Sequence, residues 1–244
     1  MLLQPGACGD LIICAPIAKW YADAGYEIYW PVRDELYRNL ECLDYVIPIA
    51  LGHERDLTPE NRMRFNVQDS IAMAPDYGCE YFLNLADRGP GPMNERPGEG
   101  FERAKYRVAN VPFKERHNLV WTRNEVKEDY VYNRFVNLPG YDRYAFVHST
   151  SSHKEELTLP DLDIPIVTCD DFSPDYNIYD WYKVIVNAEE LYVTESAIWC
   201  FCDGIVHELS EDRYIIPRSN MGGCVSVAQY WKKDFAGNTR FIGQ

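Results

Sequence analysis

Three short stretches of this chain carry residue types that can do chemistry. In the first, "PGACGD", Gly6, Gly9 and Asp10 stand directly ahead of an apolar helical run. Glycines allow tight turns and let another molecule approach the backbone closely. An aspartate at the N-cap or first turn of a helix has two uses. It caps the helix, or it faces a cleft and accepts a proton from an attacking hydroxyl as a general base. The spacing fits both. It does not fit a dinucleotide fingerprint, because Gly6 and Gly9 are followed by Ile12 where a third glycine is required.

The second stretch, "HSTSSHK", follows a strand-like run with the hydroxyls of Ser149, Thr150, Ser151 and Ser152 and the cation of Lys154. Hydroxyls, backbone N–H groups and a lysine suit a diphosphate, and a solvated serine-rich turn is the alternative. There is no Walker pattern, so ATP hydrolysis is not indicated. His148 and His153 flank the loop and read as satisfied polar residues rather than metal ligands. In the third stretch, "ELYVTESAIWCFCDG", a strand delivers Thr194, Glu195, Ser196 and Ala197 to a helix start. The free N–H groups and positive dipole end there attract phosphate, and an ordinary capping box is the alternative. Glu195 is placed to accept hydrogen bonds from ribose or sugar hydroxyls.

Elements that could position these residues follow an alternating order. A helix is predicted at about Leu11 to Ala24, then the strand "YEIYWPV", the short helix "RDELYRNL", the extended run "DYVIPIA" and a buried strand, "CEYFLNLAD". The Gly- and Pro-rich "DRGPGPMNERPGEG", Asp87 to Gly100, reads as a long surface loop, and the helices "FERAKYRVANV" and "EVKEDYVYNRFV" come next. After the turn "NLPGYD" the order restarts with the strands "RYAFVHST" and "IPIVTC". The helix "IYDWYKVIVNAE", the strand "ELYVT", a helix from "ESAIWCFCDG" and the strand "RYIIP" complete it. This predicts α/β layering on parallel sheets in two domains, 1–139 and 140–244. In such sheets ligands sit beyond the carboxyl ends of the strands, where all three stretches fall.

Composition narrows the partners. With 38 acidic against 24 basic residues the net charge is −14, which repels nucleic acid and anionic membrane surfaces. No apolar run approaches the roughly 18 residues of a membrane span, and no leader pattern is present, so a soluble cytoplasmic protein is expected. The eight cysteines form no CxxC pair and no zinc spacing, so neither a metal nor a cofactor is expected, and the thiols read as reduced.

Taken together, the three stretches resemble the GT-B glycosyltransferases, and within them the heptosyltransferase-like family nine. "GDLIICAPIAKWYADAGYEIYWPVRDE" is similar to that family's opening, a Gly-Asp followed by an apolar helix containing a proline. "FVHSTSSHK" is similar to its mid-chain strand, Ser/Thr loop and lysine, and "VIVNAEELYVTESAIWCFCDG" to its late acid-Ser turn, with Glu195 for the usual Asp and Ala197 for the usual Gly. The resemblance covers most of the chain, though family members usually run longer. It implies two Rossmann-like domains facing a cleft, an acceptor-side domain at 1–139 and a donor-binding domain at 140–244. It also implies Asp10 as the base, Lys154 on the donor's phosphates, and Glu195 and Ser196 on the donor.

The resulting expectation is metal-independent transfer of a sugar from a nucleotide-sugar co-substrate to an acceptor hydroxyl, most readily a saccharide's. Gly6 and Gly9 would form the acceptor-side loop, and Ser149 to Ser152, Lys154 and Glu195 to Ala197 would hold the donor. Two other readings stay open: an inactive GT-B-like module that binds a nucleotide or a protein, and a viral nucleic-acid glycosyltransferase, which the charge disfavours.

Overall fold

Among the described residues every strand pairing is parallel. The computed structural model describes residues 1–52, 67–86, 99–137, 142–149, 161–169, 176–194, 196–216 and 240–241. Two compact units emerge, Met1–Thr122 and Arg123–Gln244.

In the first unit, β1 (Leu2–Leu3) leads into α1 (Cys8–Asp23), followed by β2 (Tyr29–Val32), the single-turn helix α2 (Asp34–Tyr37), β3 (Ile47–Ala50), β4 (Leu83–Asn84) and α3 (Phe101–Val108). β2 pairs with β3, Tyr29 opposite Ile47, and β1 pairs with β4, Leu2 opposite Leu83. These are two separate two-stranded sheets; β1 packs beside β2 without a ladder between them, which sets the two pairs side by side as β3, β2 and β1, β4. Helix α1 is buried at Leu11, Ile12 and Cys14 through Ala18, so it is enclosed on most sides. It stops where Gly25 takes φ 92°: the Gly25 N–H donates to Ala22 O and the Tyr26 N–H to Tyr21 O. Only a residue that tolerates the left-handed region closes the last turn this way.

The helix starts three residues earlier than the sequence predicts, so Ala7 is the extended N-cap and Gly9 is helical. Among the described glycines the left-handed ones are Gly25, Gly52 and Gly78. The tight-turn argument therefore does not apply to Gly6 or Gly9. The run "CEYFLNLAD" is also shorter as a strand than expected. Its partner β1 offers two residues, and Tyr81 and Phe82 are exposed while burial begins at Leu85.

The second unit opens with α4 (Glu125–Phe135) and builds one sheet from β5 (Ala145–His148), β6 (Ile166–Thr168), β7 (Glu190–Thr194), β8 (Asp212–Ile216) and β9 (Arg240–Phe241) in the order β6-β5-β7-β8-β9. Helices α5 (Tyr182–Val186) and α6 (Ala197–Gly204) flank β7 in the chain. A 3-10 turn, Ile178–Trp181, precedes α5 where a single helix was expected. Its start is set by a reciprocal cap: Asn177 Oδ1 accepts from the Tyr179 and Asp180 N–H groups, and Asp180 Oδ2 accepts from the Asn177 N–H.

The core of this unit is aromatic. Trp181 is fully buried, with its ring 4.9 Å from Phe135, 5.8 Å from Tyr176 and 6.0 Å from Phe146. Phe135 belongs to α4, whose Val131 is also fully buried. This packing assigns α4 to the second unit, so the chain divides after Thr122 rather than at the expected 139. The "NLPGYD" turn marks a chain reversal, but the apolar face of a helix decides which core it joins. No described helix is long and apolar enough to cross a membrane.

Candidate functional site

In each unit the chain moves from one strand to a neighbour on one side and later returns to the other side. Such a reversal leaves a crevice beyond the carboxyl ends of the two central strands. In the first unit those strands are β1 and β4, and in the second they are β5 and β7.

Asp10 occupies the first of these places. It is the third residue of α1, in the first turn, and Ala7 rather than Asp10 is the N-cap. Its carboxylate is 16% exposed, enough to meet a solute, and Oδ1 lies 3.7 Å from the ammonium of Lys105. That lysine has no exposed surface. Its Nζ donates to Gln4 Oε1 at 2.6 Å and to Leu85 O at 2.5 Å, and it lies 4.4 Å from the centre of the Phe101 ring. Burying an ammonium is costly unless it is paired and hydrogen-bonded, and here both conditions are met. The acceptors come from the residue after β1 and the residue after β4, so Lys105 ties both central strands to α3.

Further contacts fix the surroundings. Gln4 is fully buried and its carbonyl accepts from Trp30 Nε1 at 2.9 Å, while the Tyr106 hydroxyl donates to Ile13 O at 3.0 Å and anchors α3 on α1. The neighbouring Cys14 thiol is pushed up to about 12, chiefly by burial, with Lys105 opposing and Asp10 adding to the effect. It is a core thiol, not a nucleophile.

At the second crevice, β5 ends in His148, which is 4% exposed, and β7 ends in the buried Thr194. Ser196 caps α6: its Oγ accepts from the Trp199 N–H at 3.4 Å and lies 3.1 Å from His148 Nδ1. Ser149 follows β5 directly and Ala197 is the first residue of α6. The structure thus brings Ser149, Ser196 and Ala197 to the carboxyl ends of adjacent strands. Thr150, Ser151, Ser152, Lys154 and Glu195 lie outside the described residues.

The chain matches no protein-family model and no curated protein. It is similar to a solved structure, the glycosyl transferase family 9 protein from Veillonella parvula DSM 2008, with a TM-score of 0.58 and 9% identity over 100% of this chain and 85% of that one. The likeness is one of fold. It joins two parallel α/β units in one chain, as the sequence predicts.

Two functional candidates escaped sequence reasoning. Lys105 stands on α3 with Phe101, Val108 and Ala109 at offsets of three and four, so a cation occupies the apolar stripe of an amphipathic helix, and that is the signal which marks it. His148 reads in the sequence as a satisfied polar residue, and its contact with Ser196 makes it one, but that partner stands 48 positions away with no local pattern to name it. A cavity of about 250 Å³, lined in part by Tyr21, Tyr26, Tyr81, Phe82 and Leu83, opens at the amino ends of β1 and β4. It is remote from the carboxyl-end crevice and shares no residue with the Asp10 cluster.

Proposed function

We propose that this protein is a glycosyltransferase of the GT-B type that moves a sugar from a nucleotide-sugar to an acceptor hydroxyl. The observation that carries the reading is the position of Asp10: a partly exposed carboxylate at the carboxyl end of a central strand, in the first turn of a helix. Its likeness in fold to a family 9 glycosyl transferase supports the same reading. The acceptor oxygen forms a bond to the anomeric carbon, its proton passes to Asp10, and the bond from that carbon to the diphosphate breaks with the electron pair leaving on the diphosphate.

The first unit supplies the base and, along Gly6 and Gly9, the acceptor-side backbone. In the second unit, the start of α6 at Ser196 and Ala197, with Glu195, binds the donor. Lys154, the hydroxyls of Ser149 to Ser152 and the start of α6 stabilise the departing diphosphate in place of a metal ion. The reading includes a cytoplasmic setting in which the thiols stay reduced.

The test is a thermal-shift and calorimetric panel of UDP-, GDP-, ADP-, CMP- and dTDP-sugars, with EDTA and with divalent metal. Selective stabilisation by one nucleotide in EDTA, followed by transfer of its sugar, is the expected result. Stabilisation by none of them overturns the reading. Stabilisation without transfer to any hydroxyl acceptor leaves the inactive binding module.

A further inference from the structure

We infer that Lys105 is the positioning residue of Asp10: a buried internal cation that holds the carboxylate in its charged form and remains satisfied when that charge is neutralised. The inference rests on Asp10 being the base proposed above.

At 3.7 Å the ammonium is too far from Oδ1 to hydrogen-bond, yet close enough to stabilise a negative charge strongly in a site where one partner has no solvent contact. Its hydrogen bonds go elsewhere, to Gln4 Oε1 and Leu85 O. This division matters during turnover. When the acceptor hydroxyl gives its proton to Asp10, the carboxyl becomes neutral and the pair's attraction falls. A lysine whose only partner was Asp10 would then be left as a stranded buried charge. Lys105 keeps two oxygen acceptors and the face of Phe101 throughout, so Asp10 can gain and lose a proton while the lysine stays in place.

Two titratable groups near the carboxylate are thiols. Cys8 and Cys14 lie on α1 itself and each has its thiol pushed up to about 12, largely by burial, so neither is charged at neutral pH; Arg38, beyond α2, acts on Cys8. Lys105 acts on Asp10 from a second element, α3, at 3.7 Å. The buried Gln4 Nε2, which has no hydrogen-bond partner, fits the same arrangement: the amide is oriented to give its oxygen to Lys105 at the expense of its nitrogen.

Protein labelled with carbon-13 at aspartate carboxyls, with Asp10 assigned through Asp10→Asn, gives the titration of this one group without any substrate. Lys105→Met is expected to raise its midpoint by about one pH unit or more, and Lys105→Arg to restore most of the shift. The acidic limb of the sugar-transfer rate should move by the same amount. If Lys105→Met does not fold, Lys105→Gln, which keeps a hydrogen-bond donor and removes the charge, takes its place and is expected to raise the Asp10 midpoint in the same direction. A midpoint unmoved by Lys105→Met or by Lys105→Gln overturns the inference, whatever the transfer rate does. A shifted midpoint in a protein that transfers no sugar also removes the inference, because there is then no base to position, and that outcome identifies the function reading as the part that failed.

Discussion

His148 and Ser196 meet at 3.1 Å, joining the ends of β5 and β7 where the strand order of the second unit reverses. Ser196 Oγ also accepts the Trp199 N–H, so one hydroxyl both starts α6 and orients the imidazole. Ser196→Ala should lower stability by about 1 kcal/mol through loss of the cap and weaken nucleotide-sugar binding by about tenfold through loss of a charge-assisted hydrogen bond. Asn124, which caps α4 by accepting the Lys127 N–H at 3.1 Å, is the control. Asn124→Ala should cost similar stability in thermal unfolding and leave calorimetric affinity unchanged.

Asp10→Asn keeps the shape of the side chain and removes its basicity. Transfer should fall by about 10²- to 10⁴-fold while the donor's Kd stays within twofold. Unchanged turnover would reduce Asp10 to a favourable charge at a helix start.

Alkaline pH should destabilise the fold from about pH 9. The Cys14 thiol is raised by burial from the ordinary 9.0 to about 12, and burial raises the fully buried Cys202 thiol in the same direction. For a group whose folded pKa lies above its unfolded value, stability is complete below the unfolded pKa and is lost as pH rises toward the folded one. Between pH 9 and 12 the unfolded chain has released the Cys14 proton and the folded chain has kept it. The slope is about 1.4 kcal/mol per pH unit for each such group. Cys14→Ala should flatten the pH dependence of urea unfolding above pH 9, leaving the portion due to other groups raised by burial, among them the Cys8 and Cys202 thiols and the Tyr144 hydroxyl. An unchanged slope would show that Cys14 titrates normally in the folded chain.

Glu128 and Arg123 form an unequal pair. The carboxylate is 1% exposed, the guanidinium 43%, and the arginine also lies 4.1 Å over the Tyr182 ring. Arg123→Ala strands a buried charge and should destabilise by about 3 kcal/mol. Glu128→Gln leaves an arginine that still reaches water, so it should cost less than half as much in chemical denaturation. Equal losses would mean that the pair's attraction, and not the desolvated carboxylate, sets the effect.

Asp10 was legible in the sequence because its function would depend on a local device, a short loop between a strand and a helix. The parallel layering was legible for the same reason. Lys105 was not, because a lysine in an apolar stripe ordinarily lays its methylenes along the core and carries its charge to water. Whether it is enclosed depends on acceptors such as Gln4 Oε1, 101 positions away. The pairing of His148 with Ser196 is equally non-local, set by which strands become neighbours. The division after Thr122 was missed because turn residues mark a reversal of direction, whereas the burial of Val131 and Phe135's contact with Trp181 decide which core α4 serves.

Lys105 donates to the carbonyl of Leu85, so the chain is pinned at β4 before it departs past Ala86 and again on α3 after it returns at Glu99. Gln4, Leu85 and Lys105, far apart along the chain, therefore meet at one ammonium, so the two strand ends and the helix that surround Asp10 hold their spacing as one unit.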